Sequence, residues 1–519
     1  MCPRGHSGDT HCDTKRLDAA VCWPHDTAMA RVPVLLLVTA ALAGCTVGPD
    51  YHPKSAADLG VPDAYSVPAQ QTAEDLTRWW SNFDDPVLGQ LVDQARLANT
   101  DVAQAIARLR QARESLVQSR ASLLPTLSGS AGYQRNENLR GGGRSFTLPD
   151  GTVVDTGGGG TNSFSAGLSA SYQLGLFGEV RRTVEATRAQ YEASGFDYAT
   201  TLLTVESEVA TNYVLARAYQ AQLANARASL AIQDDNLEIA GFRVQAGLVS
   251  SVDVEQARSQ RAQTAATVPQ IEQQYAAAVA RLGVLTGQAP GALRAALAAA
   301  KPIPRGPAAV GVGIPADALR RRPDVRAAER SLASATAQIG VAKAQLYPAL
   351  AISGNINTNA TGIGSLGDAI TGSLFAGLTQ AIFNGGRLRS QVRANEAAAD
   401  AALAAYRGTV LTALEDIENA IVALDAARQR ETQFRIAYDA ANASAILARS
   451  QYRSGLTDFT TLNQQEAALL SAQNGLTSAR SDQATALVSL YNALGGGWDA
   501  SVVPQAPDRA PRTPVAETR

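Results

Sequence analysis

Beyond Cys45 the 519-residue chain contains no methionine, no second cysteine and a single histidine, His52. The remaining histidines (His6, His11, His25) and cysteines (Cys2, Cys12, Cys22) all precede residue 30. Disulfide frameworks, zinc sites and histidine-based acid/base or nucleophilic chemistry therefore have almost no raw material in the body of the chain. An excess of one charge is lacking too: 45 Lys and Arg against 47 Asp and Glu leave a net charge of −2. No broad basic field points to nucleic acid or to an anionic membrane surface. Aromatics are 5% of residues and alanine dominates, which suits close-packed helices better than a bulky core. After Cys45 no apolar run approaches the roughly eighteen residues of a transmembrane helix. A hydrolase using carboxylates alone survives this inventory, but it needs acids clustered on loops, and here they are dispersed along helical stretches.

What is present begins with an export signal. Arg31 is a positive n-region, and Val32 to Ala43 (VPVLLLVTAALA) is an apolar h-region too short to span a bilayer comfortably. It runs into Leu42, Ala43, Gly44 and Cys45, which resembles the lipobox of bacterial lipoproteins, where the cysteine becomes the lipidated first residue. The alternative is a small-residue cleavage site followed by an unmodified Cys45. Residues 1–44 are thus expected to be a signal peptide. Within it, 1–28 precede Met29, look unlike an n-region, and read as an extension ahead of the true start. Thr46 follows the cysteine; an Asp there would have pointed to inner-membrane retention.

An internal duplication organises the rest. NTDVA from Asn99 and SLLPTL from Ser122 recur as RPDVR from Arg322 and QLYPAL from Gln345. LFGEVRR from Leu176 recurs as IFNGGRL from Ile382, and QAGL from Gln245 as RSGL from Arg453. The anchors keep their order, giving repeats at 81–287 and 315–496 joined by the linker 288–314; residues 497–519 are expected to form a disordered tail.

Each repeat holds two stretches of period-two alternation, predicting strands at 126–138, 162–177, 349–359 and 372–383. In the second, Phe164, Ala166, Leu168, Ala170, Tyr172, Leu174 and Leu176 alternate with mostly Ser, Gly and Gln. Phe177 and Phe383 are expected to end strands. An antiparallel sheet on a soluble core also alternates. Here, however, the polar positions carry Ser, Asn and Gln rather than Lys and Glu, and about ten tilted residues span the ~25 Å apolar band of an outer-membrane barrel. The Gly-rich linkers 141–160 and 361–372 fit external loops; Gly157 to Gly160 lack the Lys and Ser/Thr of a phosphate cradle. Four strands per chain are too few for a closed barrel, and open edges in lipid cost several kcal/mol per unpaired group. Copies must close it together: two give eight strands, three give twelve and an aqueous bore, and the trimer is favoured.

The remainder is helical, because proline is absent from 150–268 and 349–503 while Ala, Gln, Arg, Glu and Leu fill the space. Long helices are predicted at 179–246 and 387–454, roughly 100 Å each at 1.5 Å per residue. Return helices follow at 251–286 and 459–494, and shorter ones at 86–123 and 324–346. Gly247 and Gly455 are the natural stops. A plain coiled-coil rod would share these helices, but it leaves the strand pairs unexplained.

Taken together, these residues resemble the outer membrane factor (TolC-like) efflux channels, in particular the lipoprotein branch related to OprM and NodT. The resemblance rests on CTVGPDYHP from Cys45, on Trp79, Trp80, Phe83, Asp85, Pro86 and Leu88, and on LPTL from Leu124. It rests further on Phe177 and Gly178, on Gly247, Leu248, Asp253 and Val254, and on Tyr452, Gly455 and Leu456. It covers nearly all of the chain after residue 44. It implies an α+β membrane protein: a homotrimer whose twelve-stranded transmembrane β-barrel, four strands per chain, continues into a long periplasmic α-helical barrel. Residues 45–80, the linker and the C-terminal segment would build an equatorial region. It implies no enzyme and no cofactor, only a covalent lipid at Cys45. The partners implied are outer-membrane lipid, a periplasmic adaptor and an inner-membrane efflux pump, with drugs or other toxic small molecules passing through. Gly247, Leu248, Gly455 and Leu456 would form adaptor-docking tips. Asp253 matches a family carboxylate used in contacts between protomers at the tip, although a capping Asp is the plain alternative. Where the family often carries an acidic ring, this sequence has Thr461 and Gln464, with Asp458 slightly earlier; three copies of Asp458 would still favour cations at the mouth. Trp79 and Trp80 read as equatorial packing.

Overall fold

The structure, a computed structural model, describes residues 46–68, 75–137, 139, 144–156, 160–307 and 309–505. The signal segment, Cys45 and residues 506–519 lie outside the described residues. Eight helices are described: α1 Pro86–Ala98, α2 Thr100–Ala121, α3 Glu179–Gln245, α4 Ser251–Leu285, α5 Pro315–Arg321, α6 Pro323–Ala344, α7 Arg387–Arg453 and α8 Phe459–Ala493. The strands are β1 Thr126–Asn136, β2 Arg144–Thr147, β3 Val153–Thr156, β4 Thr161–Leu174, β5 Ala349–Ala360 and β6 Ile370–Thr379.

The duplication is preserved in length. α3 and α7 each have 67 residues, α4 and α8 each 35, α2 and α6 each 22. In α3 the buried stripe is rich in small residues (Ala186, Ala189, Ala193) recurring at three- and four-residue spacing, so that neighbouring backbones approach closely. α3 packs on α2, α4, α6 and α8, while α7 packs on α6 and α8.

Four strands form one antiparallel sheet in the order β1-β4-β5-β6, with β1 and β6 at its edges. The registers pair Gly129 with Leu168, Leu168 with Ile356, and Ile356 with Gly372, so the apolar positions of all four strands, apart from Ala349, Ala351 and Phe375, share one face. On the other face Ser128 faces Ser169 at 2.8 Å between hydroxyls, and Ser373 donates to Asn355 Oδ1 at 2.8 Å.

Several boundaries differ from the expectations. The helix expected at 86–123 is two, because Asn99 adopts an extended conformation (ψ 136°) and its side chain caps α2 by accepting from the Asp101 and Val102 N–H groups. Its counterpart Arg322 breaks the second half in the same place, where the following Pro323 disfavours helix. The two side chains also do equivalent jobs. Asn99 Nδ2 donates to the Leu285 carbonyl (2.9 Å) and Arg322 Nη1 to that of Ala493 (3.2 Å), in each case the last residue of the return helix. β4 and β6 stop before Phe177 and Phe383. Phe177 instead stacks on Tyr347 at 4.6 Å, and Phe383 is exposed. The linker expected to be loop at 141–160 contains the β2–β3 hairpin, turned at Leu148–Thr152, where Leu148 N–H donates to the Thr152 carbonyl at 2.9 Å. The tail expected at 497–519 is ordered as far as it is described. Gly497 N–H donates to the Leu76 carbonyl (2.8 Å), and the buried Trp498 ring lies edge-on to Phe196 at 6.0 Å, too much apolar surface to leave in water.

The main core lies at the waist of the helices. Trp79, Trp80, Phe83, Tyr213 and Tyr491 are buried there, Trp79 stacking on Tyr491 at 5.4 Å. That agrees with the packing role expected of the two tryptophans. Among them Glu206 is fully buried, its Oε1 held at 2.6 Å by Arg96. Burial pushes its carboxyl up to about 8, and Arg96 pulls back only part of that rise.

Candidate functional site at the paired helix tips

Both long helices end in the same device. Gly247 (φ 70°) and Gly455 (φ 74°) take the left-handed conformation that a side chain resists. Leu248 N–H then reaches back to the Arg243 carbonyl (2.9 Å) and Leu456 N–H to that of Gln451 (2.8 Å), closing each C-terminus. Leu248 and Leu456 are left 69% and 79% exposed, an apolar pair that nothing in the cap itself requires.

The return helices start from caps of different kinds. Ser250 caps α4 by accepting from the Val252 N–H (3.3 Å), which leaves Asp253 in the first turn rather than at the cap. Asp458 caps α8, its Oδ1 accepting from the Thr461 N–H at 2.7 Å. That bond holds its carboxyl below the usual range. Asp458 and Thr461 are thus brought together as a cap, while Gln464 is exposed one turn further along.

Sequence reasoning missed the pair that joins the two tips. Arg243, in the last turn of α3, donates from Nη1 to the Tyr452 carbonyl at 3.1 Å and holds its guanidinium 4.7 Å from the centre of the Tyr452 ring. Tyr452 is buried with Ala257, Ala448, Phe459 and Leu462. Burial pushes its hydroxyl up, Arg243 draws it back, and the negative charge of Asp253 raises it again. One turn above, Arg449 Nη2 donates to Glu466 Oε2 at 3.0 Å, with Glu466 buried. These contacts tie α3 to α7 and α7 to α8. Among the described residues no group of His, Cys, Asp and Glu is placed to hold a metal, and the acids near Arg322, Asp324 and Asp416, are already paired with it.

The model of a family described as outer membrane efflux protein matches residues 91–288 and again 314–496, once for each half. The chain belongs to this family. It is 33% identical to the pyoverdine export outer membrane protein OpmQ of Pseudomonas aeruginosa, over 84% of this chain and 90% of that one. It is 31% identical to nodulation protein T of Rhizobium leguminosarum bv. trifolii, over 88% and 96%. Among solved structures, the outer-membrane channel OprN superposes with a TM-score of 0.77 at 32% identity, covering 88% of this chain and all of that one. This outer membrane efflux protein is accordingly a channel component of the outer membrane and not an enzyme. The described residues include no helix long and apolar enough to cross a membrane.

Proposed function

We propose that three copies of this chain close one twelve-stranded barrel in the outer membrane, continued by a helical tunnel. The assembly would be a passive exit duct for drugs or other toxic small molecules, delivered by an inner-membrane pump through a periplasmic adaptor. The observation that carries the reading is the sheet, with one predominantly apolar face, broken by Thr358 and at its outer end by Arg135 and Asn162, and two open edges. β1 and β6 run in opposite directions across the order β1-β4-β5-β6, so the β6 edge of one copy can accept the β1 edge of the next in antiparallel pairing. Repeated around an axis, this leaves no unpaired backbone in lipid. The apolar face carries Tyr133 and Phe164 (4.9 Å apart) toward one end and Tyr172 toward the other. Phe164 and Tyr172 are separated by about 27 Å along the strand at ~3.4 Å per residue, or about 20 Å of height at the tilt of a barrel strand, which lies within an apolar band of ~25 Å.

A lipid on Cys45 fits this placement. Thr46 packs against Gly178 at the junction of sheet and helix, and Val47 N–H donates to the Phe177 carbonyl at 3.2 Å. Thr46 and Val47, the residues that would follow a lipidated Cys45, are thus held at the sheet–helix junction. At the far end, the exposed Leu248 and Leu456 suit an adaptor, and the Arg243–Tyr452 latch suits a closed tip.

Purified protein in planar bilayers is expected to give discrete channels. Arg243→Ala removes a cation–π contact and a hydrogen bond together worth about 1–2 kcal/mol, so the open population should rise roughly tenfold. Asp253→Ala and Asp458→Ala are expected to change conductance less. Unchanged conductance in all three variants would remove the gate from the tips, and an absence of channels from the unaltered protein would remove the duct.

A further inference from the structure

The wet face of the sheet is built from small neutral groups. Thr126, Ser128, Ser130, Gly132 and Gln134 on β1 stand beside Ser163, Ser165, Gly167, Ser169 and Ser171 on β4. Ser353, Asn355 and Asn357 of β5 and Thr371 and Ser373 of β6 continue that face. No Asp, Glu, Lys or Arg stands on it among the described residues of these four strands. One side chain breaks the pattern. Phe375 pairs with Ser353 and so lies on the wet face, where it is 62% exposed.

Its ring is laid along the strand over Gly377: a Cβ at Gly377 would fall 2.5 Å from the ring. Gly377 in turn pairs with Ala351, so ring, glycine and alanine together make one apolar patch amid hydroxyls and amides. Covering the glycine explains where the ring lies, yet it uses only one of the two faces. The other stays bare to water, against a preference of about 1.5–3 kcal/mol for burying such a side chain.

We infer that Phe375 is a specificity-determining residue of the duct, an aromatic station on the lumen wall that transiently stacks apolar or aromatic solutes on their way out. The inference rests on the barrel reading above, which turns this face inward. In a closed trimer the station occurs three times at one height, on a wall that otherwise offers only hydrogen bonds. An aromatic contact is worth about 0.5–1.5 kcal/mol, enough to slow a passing ring without trapping it, and neutral or anionic hydrophilic solutes gain nothing from it.

The test uses tetraphenylphosphonium as the probe, added to single channels of the full-length protein in planar bilayers. The unaltered channel should show concentration-dependent current block, and Phe375→Ser should weaken it about two- to tenfold, the range that this contact energy allows. Phe375→Leu, which keeps an apolar side chain but loses the π face, should fall between the two. Current reduction by raffinose, which is neutral and has no aromatic ring, should be the same in all three proteins. Equal tetraphenylphosphonium block in channels of unaltered protein and Phe375→Ser overturns the station and leaves the duct standing. Absence of channels from the unaltered protein overturns the duct and the station with it. If Phe375→Ser alone fails to assemble, Phe375→Leu decides: block equal to that of the unaltered channel overturns the station.

Discussion

Leu168→Arg is expected to abolish the assembled channel. Leu168 lies midway along β4 between Phe164 and Tyr172, on the apolar face between Gly129 and Ile356. An arginine at the midplane of an outer-membrane barrel costs about 2–4 kcal/mol, and a trimer carries three. Proteins are stable by only about 5–15 kcal/mol, so the sum is of the size of the whole margin. The neighbouring Ser169→Arg is the control. It is the same insertion one residue along, but on the wet face beside Ser128, where a guanidinium stays hydrated. Oligomer in outer-membrane extracts, read on native gels, should vanish for the first variant and persist for the second. The reverse pattern would show that the faces are assigned the wrong way round.

The second large effect concerns the waist. Arg96 is the cation that holds Glu206, whose side chain has no exposure at all. Removing one partner of a buried pair typically costs about 3–5 kcal/mol, because the other charge is left uncompensated. Glu206 can escape by taking a proton, and the expectation therefore depends on pH. Its carboxyl is raised in the fold from 4.5 to about 8, so between those values the folded state holds more protons than the unfolded one. Stability contributed by this group is then fully present below 4.5 and is lost as pH rises through about 8, at up to about 1.4 kcal/mol per pH unit. Arg96→Met should unfold at lower temperature, with a deficit that grows from pH 6 to pH 9. Glu206→Gln should flatten the decline between about pH 4.5 and 8 expected of the unaltered protein. Thermal unfolding of detergent-solubilised protein at several pH values reads both, and a deficit in Arg96→Met independent of pH would refute the assignment.

Much of this architecture is local and therefore legible in one chain. Alternation in 163–177 reports a strand because each residue's neighbours two places away share its face. The long helices follow from missing proline, and their stops from Gly247 and Gly455. Boundaries drifted where one residue overrode its surroundings, as at Asn99, whose side chain prefers capping to continuing a helix. The hairpin at Leu148–Thr152 was hidden by glycines on both sides of a short β-prone core. The tip latch was out of reach for a different reason: Arg243 and Tyr452 are 209 positions apart, and nothing in either stretch names the other. The last-turn arginine was visible, but it looks like any cation facing a helix C-terminus. The buried Glu206 was equally silent, since acids in helices are ordinarily solvated.

The equal lengths of the paired helices place a rule on how such a chain can change. The two tips must end level for Arg243 to reach Tyr452, and each return helix must end where Asn99 or Arg322 meets its last carbonyl. One residue inserted in α3 alone advances that tip by about 1.5 Å and turns it by about 100°, swinging Arg243 away from its ring. Lengthening by whole turns is tolerable only if α4 lengthens with α3, and α7 and α8 with both. Insertions and deletions in this lineage should therefore come as matched sets of four, and a homologue with an odd one out should have lost the latch.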